Sequence, residues 1–326
     1  MTDSPTHFNT MTLSGLNAIA AAIAPHVNRT PLLRASRLGE MLGCDLWIKA
    51  ELFQKTGSYK PRGMINSLSQ IDEAARHRGV ITFSAGNAAQ GLAYAARAFG
   101  VPAVAVMPAN ASATKAEATR AYGAEVVLHS TVPAETLARM HELIAQHNYT
   151  FIAPGDHPDT INGNATIGLE ILDDLPDVDL VVTPVGSGSV GAGLATAFMA
   201  RSATTRIVGV NPAGAAAMHL SLKAGKPTNL PSPPDTIADG LAYPFGGQHT
   251  FPFFRDRVED VVTCEDDVIR EAMLLLMTRT KLYAEPSGAA SLAGLLAHPQ
   301  LLRGAKRVVC VVTGGNLDPA RLKNLL

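Results

Sequence analysis

Apolar residues recur along this chain at two periods, one helical and one extended. Residues 15–25 have helical composition and predict a surface helix that ends before Pro25. Residues 29–33 read as extended, and the run 45–49 predicts a strand that leads into a turn rich in Gly and hydroxyl residues. After Pro61, which suits a first helical turn, Met64, Ile65, Leu68 and Ile71 fall on one face at helical spacing. From Val80 the alternation becomes regular, with strands predicted at 80–83, 101–107, 125–128 and 149–152 and helices at 87–99, 112–122 and 136–146. A second run predicts strands at 180–185, 206–210, 258–263 and 307–312, with helices at 160–172, 190–200, 266–279, 287–297 and 319–326. Strands separated by helices of this length require parallel crossovers. The fold class is therefore α/β, two doubly wound lobes with mainly parallel sheets. Two stretches break the pattern: 225–234 carries four prolines, 244–252 is rich in Gly, Pro and Phe, and both predict long loops.

Composition narrows what such a body can do. At 326 residues the chain is long enough for two compact units or one large α/β body with a smaller lobe. With 47% hydrophobic and 17% charged residues and a net charge of −1, neither a disordered chain nor an electrostatic nucleic-acid binder is favoured, and a small molecule is the expected partner. Cys44, Cys264 and Cys310 are odd in number and lack CxxC spacing, so they read as reduced packing residues. The start is polar with Asp3 and no basic cluster, and the alanine-rich run 16–24 is too short for a membrane span; the expected location is the cytoplasm.

Several segments carry candidate chemistry. In KTGSYKPRG (55–63), a lysine held just before a helix can be desolvated until its amine is neutral and nucleophilic, as Schiff-base formation requires, and Lys60 is the candidate. The plain alternative is a solvated turn with three cations, Lys55, Lys60 and Arg62. PVGSGSVGAG (184–193) follows an apolar strand and opens a helix, so the backbone N–H groups of small residues can approach a phosphate. A Walker loop is excluded because no GK[ST] ends it. A dinucleotide fingerprint stays open: Gly186, Gly188 and Gly191 satisfy GxGxxG, although Asn211 stands where an acidic ribose ligand belongs. A structural turn without ligand also stays open. SAGNAAQG (84–91) sits at a strand-to-helix corner whose N–H groups form an anion nest suited to a substrate carboxylate, or Ser84 or Asn87 merely caps the helix. Glu285 is either a pocket carboxylate or a helix-start charge, and Asn316 or Asp318 can cap a helix. The ten histidines offer no Ser/His/Asp triad.

Taken in order, KTGSYKPRG, SAGNAAQG, PVGSGSVGAG, AEPSGAA (284–290) and VVTGGNLD (311–318) resemble the pyridoxal-phosphate (PLP) enzymes of fold type II, especially their serine/threonine dehydratase and serine racemase branch. The likeness runs from Arg29-Thr30-Pro31-Leu32 to Asp318. It implies a large cofactor domain, 1–79 with 153–326, into which a small substrate-side domain, 80–152, is inserted. It implies pyridoxal 5'-phosphate on Lys60, with its phosphate in the cup of Gly186, Ser187, Gly188, Ser189 and Val190, where Ser187 and Ser189 replace two glycines. Asn87 would bond the phenolic oxygen and Thr313 the ring nitrogen, with Ser84, Ala85, Gly86, Asn87 and Ala88 around the substrate. A hydroxyl at Thr313 cannot hold the ring nitrogen protonated as a carboxylate would, which favours elimination over transamination.

The implied activity is elimination of water from a β-hydroxy amino acid such as threonine, serine or a hydroxyaspartate-like substrate, giving a 2-oxo acid and ammonia. A β-replacement synthase, an amino-acid racemase and, more remotely, a dinucleotide-dependent oxidoreductase are the alternatives. A homodimer without an appended regulatory domain is also expected from the resemblance. The chain departs from the family at three places: Ala85 and Ala88 stand in a segment that more often reads Ser-Ser-Gly-Asn-His, Gly163-Asn164-Ala165-Thr166 replaces Gly-Gln-Gly-Thr, and Asn211 to Ala217 contains no carboxylate where relatives carry Mg or Mn. No metal is therefore expected.

Overall fold

A computed structural model of the chain describes residues 11–325; the polar start at 1–10 and Leu326 lie outside them. The N-terminal part runs α1 (Leu13–Ile23), β1 (Leu32–Arg34), α2 (Ser36–Leu42), β2 (Asp45–Ala50), α3 (Lys60–Gln70) and α4 (Glu73–Arg78). The middle part runs β3 (Val80–Phe83), α5 (Asn87–Phe99), β4 (Ala103–Met107), α6 (Ala113–Ala121), β5 (Glu125–Leu128), α7 (Pro133–His147) and β6 (Thr150–Phe151). Then follow α8 (Pro158–Asp174), β7 (Leu180–Pro184), α9 (Ser189–Ala200), β8 (Arg206–Pro212), α10 (Ala217–Ala224), α11 (Phe251–Arg257), β9 (Asp260–Cys264), α12 (Asp266–Leu275), α13 (Pro286–Ala297), β10 (Arg307–Val312) and α14 (Pro319–Leu325).

The strands form two sheets, β1-β2-β10-β7-β8-β9 and β5-β4-β3-β6. Only the β1–β2 pair is antiparallel; β10 runs parallel to β2, with Cys310 opposite Ile48, and parallel to β7, with Val308 opposite Leu180. The smaller sheet is parallel throughout. Alternation along β10 shows how the large sheet is buried on both faces. Val308, Cys310 and Val312 pack with residues of α12 and α13, while Val309 and Val311 pack with those of α8, α9 and α11.

Boundaries shift in instructive ways. The first helix is no free surface element, because Leu16 and Ile23 are fully buried. The expected strand at 258–263 begins only at Asp260, since Val258 closes α11. The expected helix at 266–279 leaves α geometry after Leu275 and ends in a π turn, Leu276–Thr280, closed by Lys281 with φ 64°. Within the second Pro-rich stretch, Pro252 is not a loop residue but stands in the first turn of α11. The two loops meet at a single antiparallel bridge between Asn229 and Phe245.

Candidate active site

The lysine turn is fixed to the loop after β10. Ser58 bridges Gly314, and the Tyr59 N–H donates to Thr313 O at 3.0 Å. Lys60 opens α3 with Pro61 behind it. Its Nζ donates to Pro154 O at 2.7 Å and lies 4.9 Å from the centre of the Tyr59 ring. On the other side α5 approaches so closely that a Cβ on Gly91 would sit 2.9 Å from Lys60 Cβ, so the last residue of SAGNAAQG is a contact surface for the lysine.

Arg62 was one of three cations in a possible solvated turn; it is instead fully buried. Its guanidinium forks onto Glu51 (2.9 and 2.9 Å) and onto Glu170 (2.7 and 2.9 Å). Lys49, also fully buried, donates to Glu170 at 2.5 Å and to Thr30 O at 2.7 Å, and the Thr30 hydroxyl donates to Glu51. Two cations and two carboxylates thus compensate one another, with only the edge of Glu170 reaching solvent. Burial pulls the Lys49 ammonium below its ordinary range, against Glu170. For Glu170 burial acts upward, but the Arg62 charge and hydrogen bonds outweigh it and the net shift is down. This network ties the first turn of α3 to α8 and to the segment after β2.

The Gly/Ser loop lies against the same segment as Lys60. A Cβ on Gly155, next to Pro154, would fall 2.1 Å from Ser187 Oγ. Gly188 takes φ 90°, which favours glycine, and Thr250 Oγ1 holds Ser187 O at 2.7 Å. Asp156 fixes that threonine by accepting the N–H groups of Gln248, His249 and Thr250 at 2.7–3.0 Å. The wall over Gly186 is the turn Asp239–Leu241, where Gly240 O lies 3.1 Å from the position of a Gly186 Cβ and Gly240 N donates to Ser287 Oγ at 2.9 Å. Thr313 Oγ1 is 3.5 Å from Ser287 O.

Asn87 does not cap its own helix. Its Nδ2 donates to Glu285 Oε1 at 2.6 Å, and its Oδ1 accepts from Asn316 Nδ2 at 2.9 Å, which also donates to Thr56 O at 2.6 Å. Glu285 likewise makes no side-chain cap; its carboxyl passes beside Gly314, where any Cβ would meet Oε1 at 2.3 Å. Burial first, and Asp239 second, push this carboxyl up to about 7, against Lys115, the Asn87 hydrogen bond and Lys60. Asp318 does cap α14, accepting from Ala320 N at 2.9 Å. Ser84 Oγ accepts from Gly86 N at 3.2 Å, and Gly86 faces open space. All five motifs therefore meet around one cleft between the sheets. Arg62, Glu51, Glu170, Pro154 and Asp239 were missed by sequence reasoning; only the RG after the lysine hinted at the first.

The sequence profile of the family described as "Pyridoxal-phosphate dependent enzyme" matches residues 23–314. The chain belongs to that family. Among its relatives in this PLP-dependent family, the L-threonine ammonia-lyase of Geobacter sulfurreducens is 41% identical over 292 residues, covering 90% of this chain and 72% of the relative. The L-threo-3-hydroxyaspartate ammonia-lyase of a Pseudomonas species is 40% identical over 299 residues, covering 92% and 93%. The structure of maize serine racemase superposes with TM-score 0.92 at 34% identity, covering 97% of this chain and 96% of that one.

The residues present fit the PLP that the family implies. The Ser189 hydroxyl is buried and has no partner among the described residues, and the N–H groups of Gly186, Ser187 and Gly188 donate to none of them. Together with the start of α9 this is a cradle for a dianionic phosphate, within one loop of the Lys60 amine.

Proposed function

We propose that the protein is a PLP-dependent ammonia-lyase that removes water from a 3-hydroxy amino acid, of the serine, threonine or 3-hydroxyaspartate kind, and releases a 2-oxo acid and ammonia. The observation that carries this is the Lys60 amine at Pro154 O, in reach of the phosphate cradle, with Thr313 and Asn87 fixed on either side. Residues 80–152 act as the substrate-side lobe and the remainder as the cofactor-side body.

Lys60 holds the cofactor through its amine, and Ser187, Ser189 and the N–H groups of Gly186 to Val190 hold the phosphate. When bound, the cofactor draws electrons from the substrate Cα and makes its proton acidic. Lys60, as a free amine, would take that proton, and its hydrogen bond to Pro154 O holds the side chain in place for it. The α-carboxylate rests on the N–H groups of Ala85, Asn87 and Ala88 at the start of α5, since that of Gly86 is engaged by Ser84. Asn87 orients the phenolic oxygen, and Thr313 offers the ring nitrogen a hydroxyl instead of a carboxylate. Ala85 carries no proton to return from the opposite face, which supports elimination over the racemisation performed by the maize relative.

The test uses one enantiomer each of serine, threonine and 3-hydroxyaspartate in deuterated water. Oxo acid and ammonia are expected, with no labelled opposite enantiomer; its appearance at a rate near that of ammonia would overturn the assignment. Lys60→Ala should lose both turnover and the visible, borohydride-bleached absorbance of the loaded enzyme while keeping its circular dichroism. Full activity in that variant would end the proposal.

A further inference from the structure

One cation reaches across the cleft with no part in the steps above. Lys115, in the first turn of α6, donates to Asp239 Oδ2 at 2.5 Å, and among the described residues this is the only ion pair joining 80–152 to the rest of the chain. Arg321 of α14 approaches the same oxygen at 3.1 Å, so two cations share one carboxylate. Only 16% of the Lys115 side chain is exposed, against 40% for Asp239 and 44% for Arg321, so the lysine is the most buried member of the cluster.

Its surroundings place it beside the substrate corner. Asp239 immediately precedes Gly240, whose carbonyl lies over Gly186 of the phosphate loop. Ala85 of the corner packs in one apolar group with Ala111 and with Ala116, the neighbour of Lys115. Ala85 carries only a methyl group here, and a Cβ at Gly86 would meet nothing within 4 Å. The Glu285 carboxyl accepts from Asn87 of the corner at 2.6 Å and passes beside Gly314, so it joins the corner to the loop after β10.

We propose that Lys115 is a specificity-determining residue whose ammonium exchanges Asp239 for the side-chain carboxylate of the substrate, selecting 3-hydroxy amino acids that carry a second carboxylate. This rests on the elimination reading and names its substrate class. A monocarboxylic substrate leaves Lys115 on Asp239; a dicarboxylic one brings a second anion to Lys115, whose present partner is shared with Arg321.

Binding of succinate to the PLP-loaded enzyme, with butyrate as control, tests the seat without turnover. Succinate is expected to bind at least ~10-fold tighter, and Lys115→Met to abolish the difference. In the same variant the ratio of kcat/KM for 3-hydroxyaspartate to that for threonine should fall roughly 30-fold or more. Asp239→Asn, of equal shape, frees the ammonium and should tighten succinate binding; a lysine that only latches the lobes predicts weakening in both variants. Succinate binding no better than butyrate, or unimproved by Asp239→Asn, would overturn the proposal. Retained succinate preference with no oxo acid from any 3-hydroxy amino acid would sink the elimination reading and leave the carboxylate seat standing.

Discussion

Glu285 has its proton held by its surroundings. Its carboxyl, about 7 in the fold against an ordinary 4.5, is raised by burial and by Asp239. Between those values the native protein keeps a proton that the unfolded chain has lost, so stability falls as pH rises through that window and levels off above it. The shift corresponds to about 3 kcal/mol at most. In the cofactor-free protein, Glu285→Gln should be indifferent to this window, so its urea midpoint relative to the parent should climb from pH 5 to pH 8; a constant difference would show that Glu285 is ionised throughout. At this scale the sequence was legible where chemistry is local. Lys60, Asn87 and Thr313 each stand in a short motif that the family resemblance singles out, and the fold brings those motifs together. Arg62 was not legible, because its carboxylates are 11 and 108 residues away and nothing nearby in sequence marks a guanidinium as buried.

Helix α3 converts that buried charge into position. Lys60 and Arg62 share its first turn, and the double fork of Arg62 onto Glu51 and Glu170 leaves that turn little freedom. Removing one partner from a buried pair leaves the others with an uncompensated charge, typically at a cost of about 3–5 kcal/mol. Arg62→Ala should lose stability of that order in urea unfolding of the cofactor-free protein, and Arg62→Lys, which cannot fork, should recover only part of it. A loss below about 1 kcal/mol would mean that solvent reaches the network. Strand and helix positions followed from the alternation at Val80–Phe83, Glu125–Leu128 and Asn87–Phe99, which match the expected bounds. Helices α2, α10 and α11 escaped because they are short, seven or eight residues, and the last is entered through a Gly/Pro-rich stretch. Tertiary packing, not local preference, defines such elements.

At the scale of the whole molecule, the end of β8 is held by an amide. Asn211 Nδ2 donates to Val185 O at 2.7 Å and its Oδ1 accepts from His219 N at 3.1 Å, joining the strand before the phosphate loop to α10. Among the described residues no group of three His, Cys, Asp or Glu side chains stands ready for a metal. Rate and thermal midpoint should therefore be the same with and without EDTA; a loss that Mg restores would reveal a cation site elsewhere. The strands of the smaller sheet were legible in the strand-helix rhythm, but the place of the last strand was not, since alternation says nothing about neighbours. That strand, β10, lies between β2 and β7, and the loop after it binds Ser58 and Tyr59. During synthesis the smaller sheet is complete once its contiguous residues have emerged, whereas the lysine turn gains its bonds to Thr313 and Gly314 only after β10 has been made. The nascent protein thus holds its lysine turn through Glu51, Glu170 and Pro154 well before the loop after β10 closes over it.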